Sequence, residues 1–437
     1  MLRRSLSTAP LVFVMYFNIS GGPFSTETLV REAGPGLALL ILLLVPLVWS
    51  LPETLIVAEL ASALPLEGGY YRWVDRAFGR RWAFLNGWWT WLYSIVDMAI
   101  YPVLFNQYLR WFFPGLGAPF EWLVSLAVIW GATAINLRGA LPVGRVSIAA
   151  GALVLGPFLL LAAAALPRMT HPPWQPFAAG DAGGIGGLGL ALSVALWNYI
   201  GWDNASTVQG EVRDASRSYP RALAVALPLV MLGYFVPLLP ALGATDWRGW
   251  EDGGWPAIAL AAGGRFGPVL VPLVALAGMV SALALFNALL LVYSRIPLVM
   301  AEDGLLPSAI ARTDRRGAPR AAVIASAVMY SLFALVSFGQ LVVADVVLYA
   351  LALMLEFGAL IRLRVREPHL RGPFRIPAGT ATVVLLSALP AAVLLLVVAL
   401  NLRDPGYGAA TVAAALVAAA LGVPLYELAA RTAHRRR

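Results

Sequence analysis

Five carboxylates, Glu53, Glu59, Asp97, Asp203 and Glu356, stand inside long apolar stretches of a chain that is otherwise poor in charge. An acid held in hydrocarbon costs at least about 2.5 kcal/mol on insertion scales, so each invites a functional reading: binding a cationic group, carrying a proton, or closing a gate against an arginine. Asp97 is the sharpest case. Trp89, Tyr93, Asp97 and Tyr101 follow one another at four-residue steps, which lines up aromatic rings and an acid along one side of a helix as a wet pathway wall. Glu53 and Glu59 are six residues apart and point about 120° from each other, so they serve different tasks. Glu53, in "WSLPETL", lies deeper and can reach a broken helix; Glu59 lies where it could pair with an arginine at a gate. Asp203 could bind an amine, relay a proton or accept hydrogen bonds from disturbed backbone. Glu356 shares a helical side with Tyr349, and for it pairing and proton transfer are both open.

Two stretches disturb the apolar runs. "FNISGGPFSTE" places Gly21, Gly22 and Pro23 in succession, and the proline lacks an amide proton and clashes with the preceding turn. "WNYIGWDNASTVQGE" makes a second run unusually polar. Unpaired backbone groups in hydrocarbon cost several kcal/mol, so a break survives only where it faces protein, water or ligand. Half-helix ends expose amides that hold a carboxylate and carbonyls that hold an ammonium. Ser20, Gly21, Gly22 and Phe24 are the substrate-binding candidates at the first break. At the second they are Trp197, Asn198, Tyr199, Gly201, Trp202 and Asp203, whose rings would add about 0.5–2 kcal/mol of cation–π attraction for a well-placed amine. Glu53, Tyr93 and Asp97 complete the substrate-binding set, while Glu53, Glu59, Asp97, Asp203 and Glu356 form the proton-coupling or gating set.

These groups need a membrane scaffold. Hydrophobic residues make up 60% of the 437-residue chain and charged ones 12%, a mixture from which no water-soluble surface can be built. Apolar segments long enough to cross the bilayer predict twelve helices, at 9–31, 37–63, 82–111, 120–138, 146–166, 185–210, 219–242, 266–300, 320–338, 341–363, 380–401 and 409–430. The first reads as retained rather than as a cleaved signal, and only the polar hint "SFGQ" separates the ninth from the tenth. All 31 basic residues are arginines; 25 fall at the amino terminus and toward or after the ends of even-numbered spans, and six (Arg31, Arg110, Arg168, Arg248, Arg265, Arg403) toward or after the ends of odd-numbered ones. That asymmetry puts both termini in the cytoplasm and accounts for the net charge of +8 without a nucleic-acid partner. No cysteine and three histidines leave no metal set and no cofactor. Tryptophan-rich loops, one with a short surface helix near Trp255 to Ala262, belong at the interface. The acid pairs Glu251 with Asp252 and Glu302 with Asp303 read as solvated loop residues.

Disturbed helices begin two successive groups of five spans, which points to inverted repeats around a midplane site. The expected fold is an all-α polytopic membrane protein of twelve transmembrane helices: a first repeat at 1–166, a second at 167–363, and two accessory helices with a tail at 364–437, helices 1 and 6 being discontinuous.

"SGGPF" (Ser20 to Phe24), "PETLIVAEL" (Pro52 to Leu60), "EGGYYRWV" (Glu67 to Val74), "DMAIYPVLF" (Asp97 to Phe105) and "STVQGEVRDASRSYPRAL" (Ser206 to Leu223) together resemble the amino acid–polyamine–organocation transporter superfamily, most nearly the plant-type polyamine and amino acid permeases. "GLLP" and "EPHLRGPFRIP" extend the resemblance into the second half. It implies a five-plus-five inverted repeat with two extra helices, alternating access, and proton-linked uptake or exchange. It also implies backbone binding at Ser20 to Phe24, an aromatic and polar segment at Tyr199 to Asp203, and recognition of extra positive charge by Asp97 and Glu53. "FNISGGPF" departs from the more widespread "GSGIF" form, which leans toward the polyamine branch.

The resulting expectation is a proton-coupled secondary transporter of an amino acid or polyamine in a cell inner or plasma membrane, not an enzyme. Its partners are a small cationic or zwitterionic solute and membrane lipid, and it works as a monomer or weak homodimer. Exchange of substrates and sodium coupling are the alternatives, an ion channel a remote one.

Overall fold

The computed structural model describes residues 4–179, 184–314, 318–333, 338–403 and 408–434. It is all α-helical. In chain order the helices are α1 (Thr8–Ile19), α2 (Thr26–Ala33), α3 (Pro35–Val45), α4 (Leu51–Ala63), α5 (Gly69–Phe78), α6 (Arg80–Leu109), α7 (Ala118–Asn136), α8 (Ala140–Ala165) and α9 (Gly184–Trp197). They continue with α10 (Ala215–Ala244), α11 (Trp255–Ala262), α12 (Gly267–Tyr293), α13 (Arg295–Glu302), α14 (Arg320–Phe333), α15 (Phe338–Arg366), α16 (Thr380–Asn401), α17 (Gly408–Ala420) and α18 (Gly422–His434). Among the described residues eight helical stretches are long and apolar enough to cross a membrane. The 30-residue α6 is as long, but its tryptophans, tyrosines and Asp97 make it less apolar. Part of the predicted boundary between the ninth and tenth spans, 334–337, and part of the first tryptophan loop, 180–183, lie outside the described residues.

Both expected interruptions are real. Between α1 and α2 the chain leaves the helix at Ser20 (φ −140°, ψ 155°), and Gly22 (φ 109°) and Ser25 (φ 71°) adopt left-handed backbone. Between α9 and a 3-10 segment, Asn204–Glu211, the break at Asn198 to Asp203 turns on Gly201 (φ 100°). A third irregularity was not expected: Pro46–Ser50 joins α3 to α4 as a π-helical segment. Such wide turns re-aim the residues that follow, and here they precede Ser50 and Glu53.

Packing sets the depth of each element. α6 packs on both α12 and α15, α12 packs on α8, and α1 lies against α8, α10 and α12. α7, α16 and α17 are the least enclosed and present leucine and valine outward, as lipid-facing helices must. The helix predicted near Trp255 forms as α11 with those bounds, with Ala257, Leu260 and Ala261 exposed on one face; its other face is buried at Trp255, Ile258, Ala259 and Ala262, and the Trp255 indole donates to the Pro23 carbonyl at 2.8 Å. That carbonyl of the first break, which Thr26 also meets, anchors the buried face.

The second break is tightly seated. A Cβ at Gly201 would stand 2.6 Å from the Asn18 carbonyl oxygen and 2.9 Å from Asn204 Nδ2. Gly201→Ala is expected to cost roughly 1–3 kcal/mol in backbone strain alone, with overpacking adding to it. Thermal melting of the purified protein checks this, against Gly131→Ala, where the added Cβ meets nothing within 4 Å and stability should hold.

Candidate functional site

At the first break the polar backbone is only partly occupied by protein. Ser281 Oγ donates to the Gly21 carbonyl at 2.6 Å, Gly22 N donates to Ser20 Oγ at 3.2 Å, and the Thr26 hydroxyl donates to the Pro23 carbonyl at 2.5 Å. Ser20, Gly21 and Gly22 line a small cavity, with room for about one water, that Phe24, Tyr101 and Trp197 enclose. Phe24 meets Tyr108 and Phe158 edge-on at ring distances of 4.9 and 5.1 Å, which fixes it as the wall on that side. Asn198 Nδ2 donates to Ser25 Oγ at 3.1 Å and ties one break to the other.

The second break is fastened from several helices. Tyr234 donates to the Asn198 carbonyl at 2.6 Å, Ser50 to the Tyr199 carbonyl at 3.2 Å, and Tyr219 to the Trp202 carbonyl at 3.0 Å. Its amides are met as well: Gly201 N donates to the Tyr349 hydroxyl at 2.9 Å and Trp202 N to Glu53 Oε1 at 3.1 Å. Glu53 thus reaches the broken helix as its sequence position suggested.

Buried acids gather in two places. Asp97 lines a second cavity of similar size, adjoining the first through Ile19, Tyr101 and Trp197. Tyr101 and Trp197 donate to its Oδ1 at 2.6 and 3.3 Å, and Tyr293 to its Oδ2 at 2.9 Å. Behind it, Tyr349 Oη lies 2.6 Å from Glu53 Oε1 and 2.5 Å from Asp203 Oδ1. A tyrosine hydroxyl carries one hydrogen, so the second short contact is satisfied when one of the two carboxyls carries a proton and donates it to the tyrosine oxygen. Glu356 is wholly buried beside Asp203 and Glu53, with neither of its oxygens in hydrogen-bond geometry. No basic side chain forms an ion pair with Asp97, Glu53, Asp203 or Glu356 among the described residues. Buried acids without a cationic neighbour call for compensating positive charge, and a proton or an organic cation supplies it.

Placement sorts the remaining candidates. Ser20, Gly21, Gly22, Phe24, Tyr93, Asp97 and Trp197 line one or other cavity. Tyr199 and Trp202 do not: the Tyr199 hydroxyl donates to the Leu42 carbonyl at 3.0 Å and the Trp202 indole to the Tyr199 carbonyl at 2.7 Å, so both rings hold the break in place. Trp89, at the foot of the α6 stripe, donates to the Ala419 carbonyl at 3.1 Å and packs on α17. Each four-residue step advances about 40° around a helix, so a stripe of four positions turns out of one face.

Glu59 lies elsewhere, in an ion pair with Arg364 at 2.5 Å and 5% exposed. It also accepts from Ile376 N at 2.9 Å, and Arg375 stands 4.0 Å away. At the same arginine-rich end Arg76 holds the exposed Glu367 carboxyl below its ordinary acidity range by donating to it at 2.6 Å. Asp303, expected to be a solvated loop acid, is half-buried and accepts from Tyr71 at 2.8 Å and from Arg72 at 2.9 Å.

Other buried groups escaped the sequence reading. Asp345 and Glu27 are buried acids within predicted spans; Tyr293 and Asn204 were missed as well, Tyr93 donating to Asn204 Oδ1 at 3.1 Å and Asn204 Nδ2 to the Tyr293 hydroxyl at 3.4 Å. Asp345 had a findable signal. It precedes Glu356 by eleven residues, three helical turns, and so shares a face with it and with Tyr349. Arg295 stands inside the predicted span 266–300, where a charge in an apolar run is itself a signal; Glu211, its partner at 2.5 Å and almost fully buried, lies just beyond a predicted span and had none.

The comparisons agree with this architecture. Residues 6–420 match the family model described as amino acid permease. Polyamine transporter PUT1 of Oryza sativa subsp. japonica is 37% identical over 403 residues, covering 91% of this chain and 74% of the relative. Polyamine transporter RMV1 of Arabidopsis thaliana is 34% identical over 390 residues, covering 89% and 79%. The probable polyamine transporter At3g19553 of the same plant is 36% identical over 400 residues, covering 90% and 82%. With membrane helices unwound beside buried acids, and with the family matched across nearly its whole length, the chain belongs to the amino acid permeases of the amino acid–polyamine–organocation superfamily, multi-pass membrane transporters rather than enzymes.

Proposed function

We propose that this protein moves a small organic cation, a polyamine in preference to an α-amino acid, across the membrane by alternating access, driven by protons. The observation that carries the reading is the set of buried acids, Asp97, Glu53, Asp203 and Glu356, gathered near two broken helices with no basic partner among the described residues. A cationic substrate supplies the missing charge in the binding arrangement, and a proton supplies it otherwise. Tyr349, poised between Glu53 and Asp203 with a single hydrogen to give, favours protons as the coupling ion. The names of the plant relatives favour polyamines.

In this reading the chain crosses a cell inner or plasma membrane twelve times with both termini in the cytoplasm. Residues 1–166 and 167–363 are inverted five-helix repeats, and 364–437 supply two accessory helices and the tail. The position of the interruptions, at the start of each repeat, supports that division. Glu59 with Arg364 then serves as an inner gate.

An α-amino acid is the second reading, favoured by the adjoining cavities. A carboxylate fits the backbone and hydroxyl donors at Ser20 to Gly22, and an ammonium fits beside Asp97.

Uptake into liposomes tests both. Putrescine, spermidine and α-amino acids are supplied with pH and sodium gradients varied independently. Saturable diamine uptake driven by a pH gradient, and weakened roughly 10- to 100-fold by Asp97→Asn, is expected. Uptake driven by sodium and indifferent to pH would overturn proton coupling; transport of α-amino acids alone would overturn the polyamine assignment.

A further inference from the structure

The cavity beside Asp97 holds a second acid. Asp345, from α15, is 1% exposed and lines the same small space, and its Oδ1 has no hydrogen-bond partner. Asp97 differs. Tyr101, Trp197 and Tyr293 already donate to its two oxygens, so it is held in orientation and has little left to offer. A carboxylate with one oxygen free in an enclosed space still has an acceptor to give, and leaving that acceptor unmet is costly.

The rest of the cavity suits one kind of donor. Tyr93, Tyr101, Trp197 and Tyr293 line it, and no basic side chain among the described residues does. Tyr93 meets Tyr293 and Tyr349 edge-on at 5.6 and 5.4 Å, so the aromatic walls brace one another. An alkylammonium brings three N–H donors and a positive charge for the acid, and a methylene stem for the rings.

We propose that Asp345 is the residue that takes the ammonium end of the substrate, and that Asp97 is its positioning partner, fixing the aromatic cage around that end. The assignment rests on the reading that the protein carries an organic amine, and it names the ligand class of this subsite: a primary alkylammonium group. A proton-carrying role for Asp345 alone makes the opposite prediction, because substrate affinity would then survive its neutralisation.

Binding of putrescine to the purified, detergent-solubilised full-length protein decides between them, read by calorimetry and by the rise in melting temperature that ligand produces. Asp345→Asn, which keeps the side chain's shape, is expected to weaken putrescine roughly 10- to 100-fold and to abolish the ligand-induced rise. Asp345→Glu pushes the carboxylate into a space with room for about one water and is expected to weaken binding at least about 10-fold. If Asp345→Asn cannot be purified, Asp345→Glu is read against the same threshold. Affinity within about threefold of wild type in the variants recovered overturns the assignment while the proposed function stands. If the wild-type protein binds neither putrescine nor spermidine, the polyamine reading falls and Asp345 loses its role with it.

Discussion

Tyr349→Phe is expected to slow pH-driven uptake about 100-fold or more, because one hydroxyl serves three buried groups and charge-assisted hydrogen bonds contribute about 1.5–3 kcal/mol each. Those groups are Glu53 at 2.6 Å, Asp203 at 2.5 Å and the Gly201 amide at 2.9 Å. The phenyl ring fills the same volume and keeps the edge-on contact with Tyr93, so the helix packing should survive. The loss therefore falls on the proton, and two assays separate it from general damage. Net uptake under a pH gradient should fall steeply and lose its pH dependence. Exchange of labelled for unlabelled putrescine across a membrane without a gradient requires no net proton movement and should fall far less. Equal losses in both assays would mean that Tyr349 only supports the fold. The acids and hydroxyls facing Asp203 from neighbouring elements are Glu53, Tyr70, Tyr93, Tyr219, Tyr349 and Glu356, and none of them is basic. Whichever carboxyl carries the proton, no cation among the described residues stands in the cluster to replace it.

Much of this was legible in the residue order, and the parts that were not share a physical reason. Gly21, Gly22 and Pro23 announce a break because glycine and proline act locally, on backbone angles and on a missing amide. The bounds of α11 were readable for the same reason, from Gly254 before and Gly263 after an apolar run. The inward turn of Trp255 was not, since that depends on the Pro23 carbonyl, 232 positions away in sequence. Tyr199 and Trp202 were expected to wall the site because they stand in the disturbed segment, but where the helix lapses residue order does not say which way a ring turns, and their side chains clasp backbone. Asp345 follows the helical rule that placed Glu356, and counting three turns back from Glu356 would have found it. The π-helical segment ahead of Glu53 leaves no mark except prolines at 46 and 52, which ordinary membrane helices also carry.

Arg295→Met is expected to cost the fold about 3–5 kcal/mol, since a buried charge pair stripped of one partner leaves the other uncompensated. The Arg295 guanidinium is fully buried and donates to Glu211 Oε1 at 3.0 and 2.5 Å, to the Leu291 carbonyl at 2.9 Å and to Ser294 Oγ at 3.0 Å. Glu67, 3.9 Å away, would lose its cation too. The damage would spread to the backbone. The Glu211 carbonyl accepts from Ser5 N and Leu6 N at 2.8 and 3.0 Å, and Arg213 N returns a bond to the Leu6 carbonyl at 2.8 Å, so the pair sits where the chain entering α1 is stitched to the chain leaving the second broken helix. Melting temperature and yield in detergent read the loss. Adding Glu211→Gln to Arg295→Met removes the stranded charge and should recover a large part of it, whereas Arg76→Ala, at the exposed pair with Glu367, should leave melting unchanged. If Arg295→Met melts like wild type, the pair does not hold these two ends together. A tie between the ends of both broken helices also bears on transport: any arrangement that opens this end must give up the pair or carry both segments together, and so Arg295 would set how often it opens.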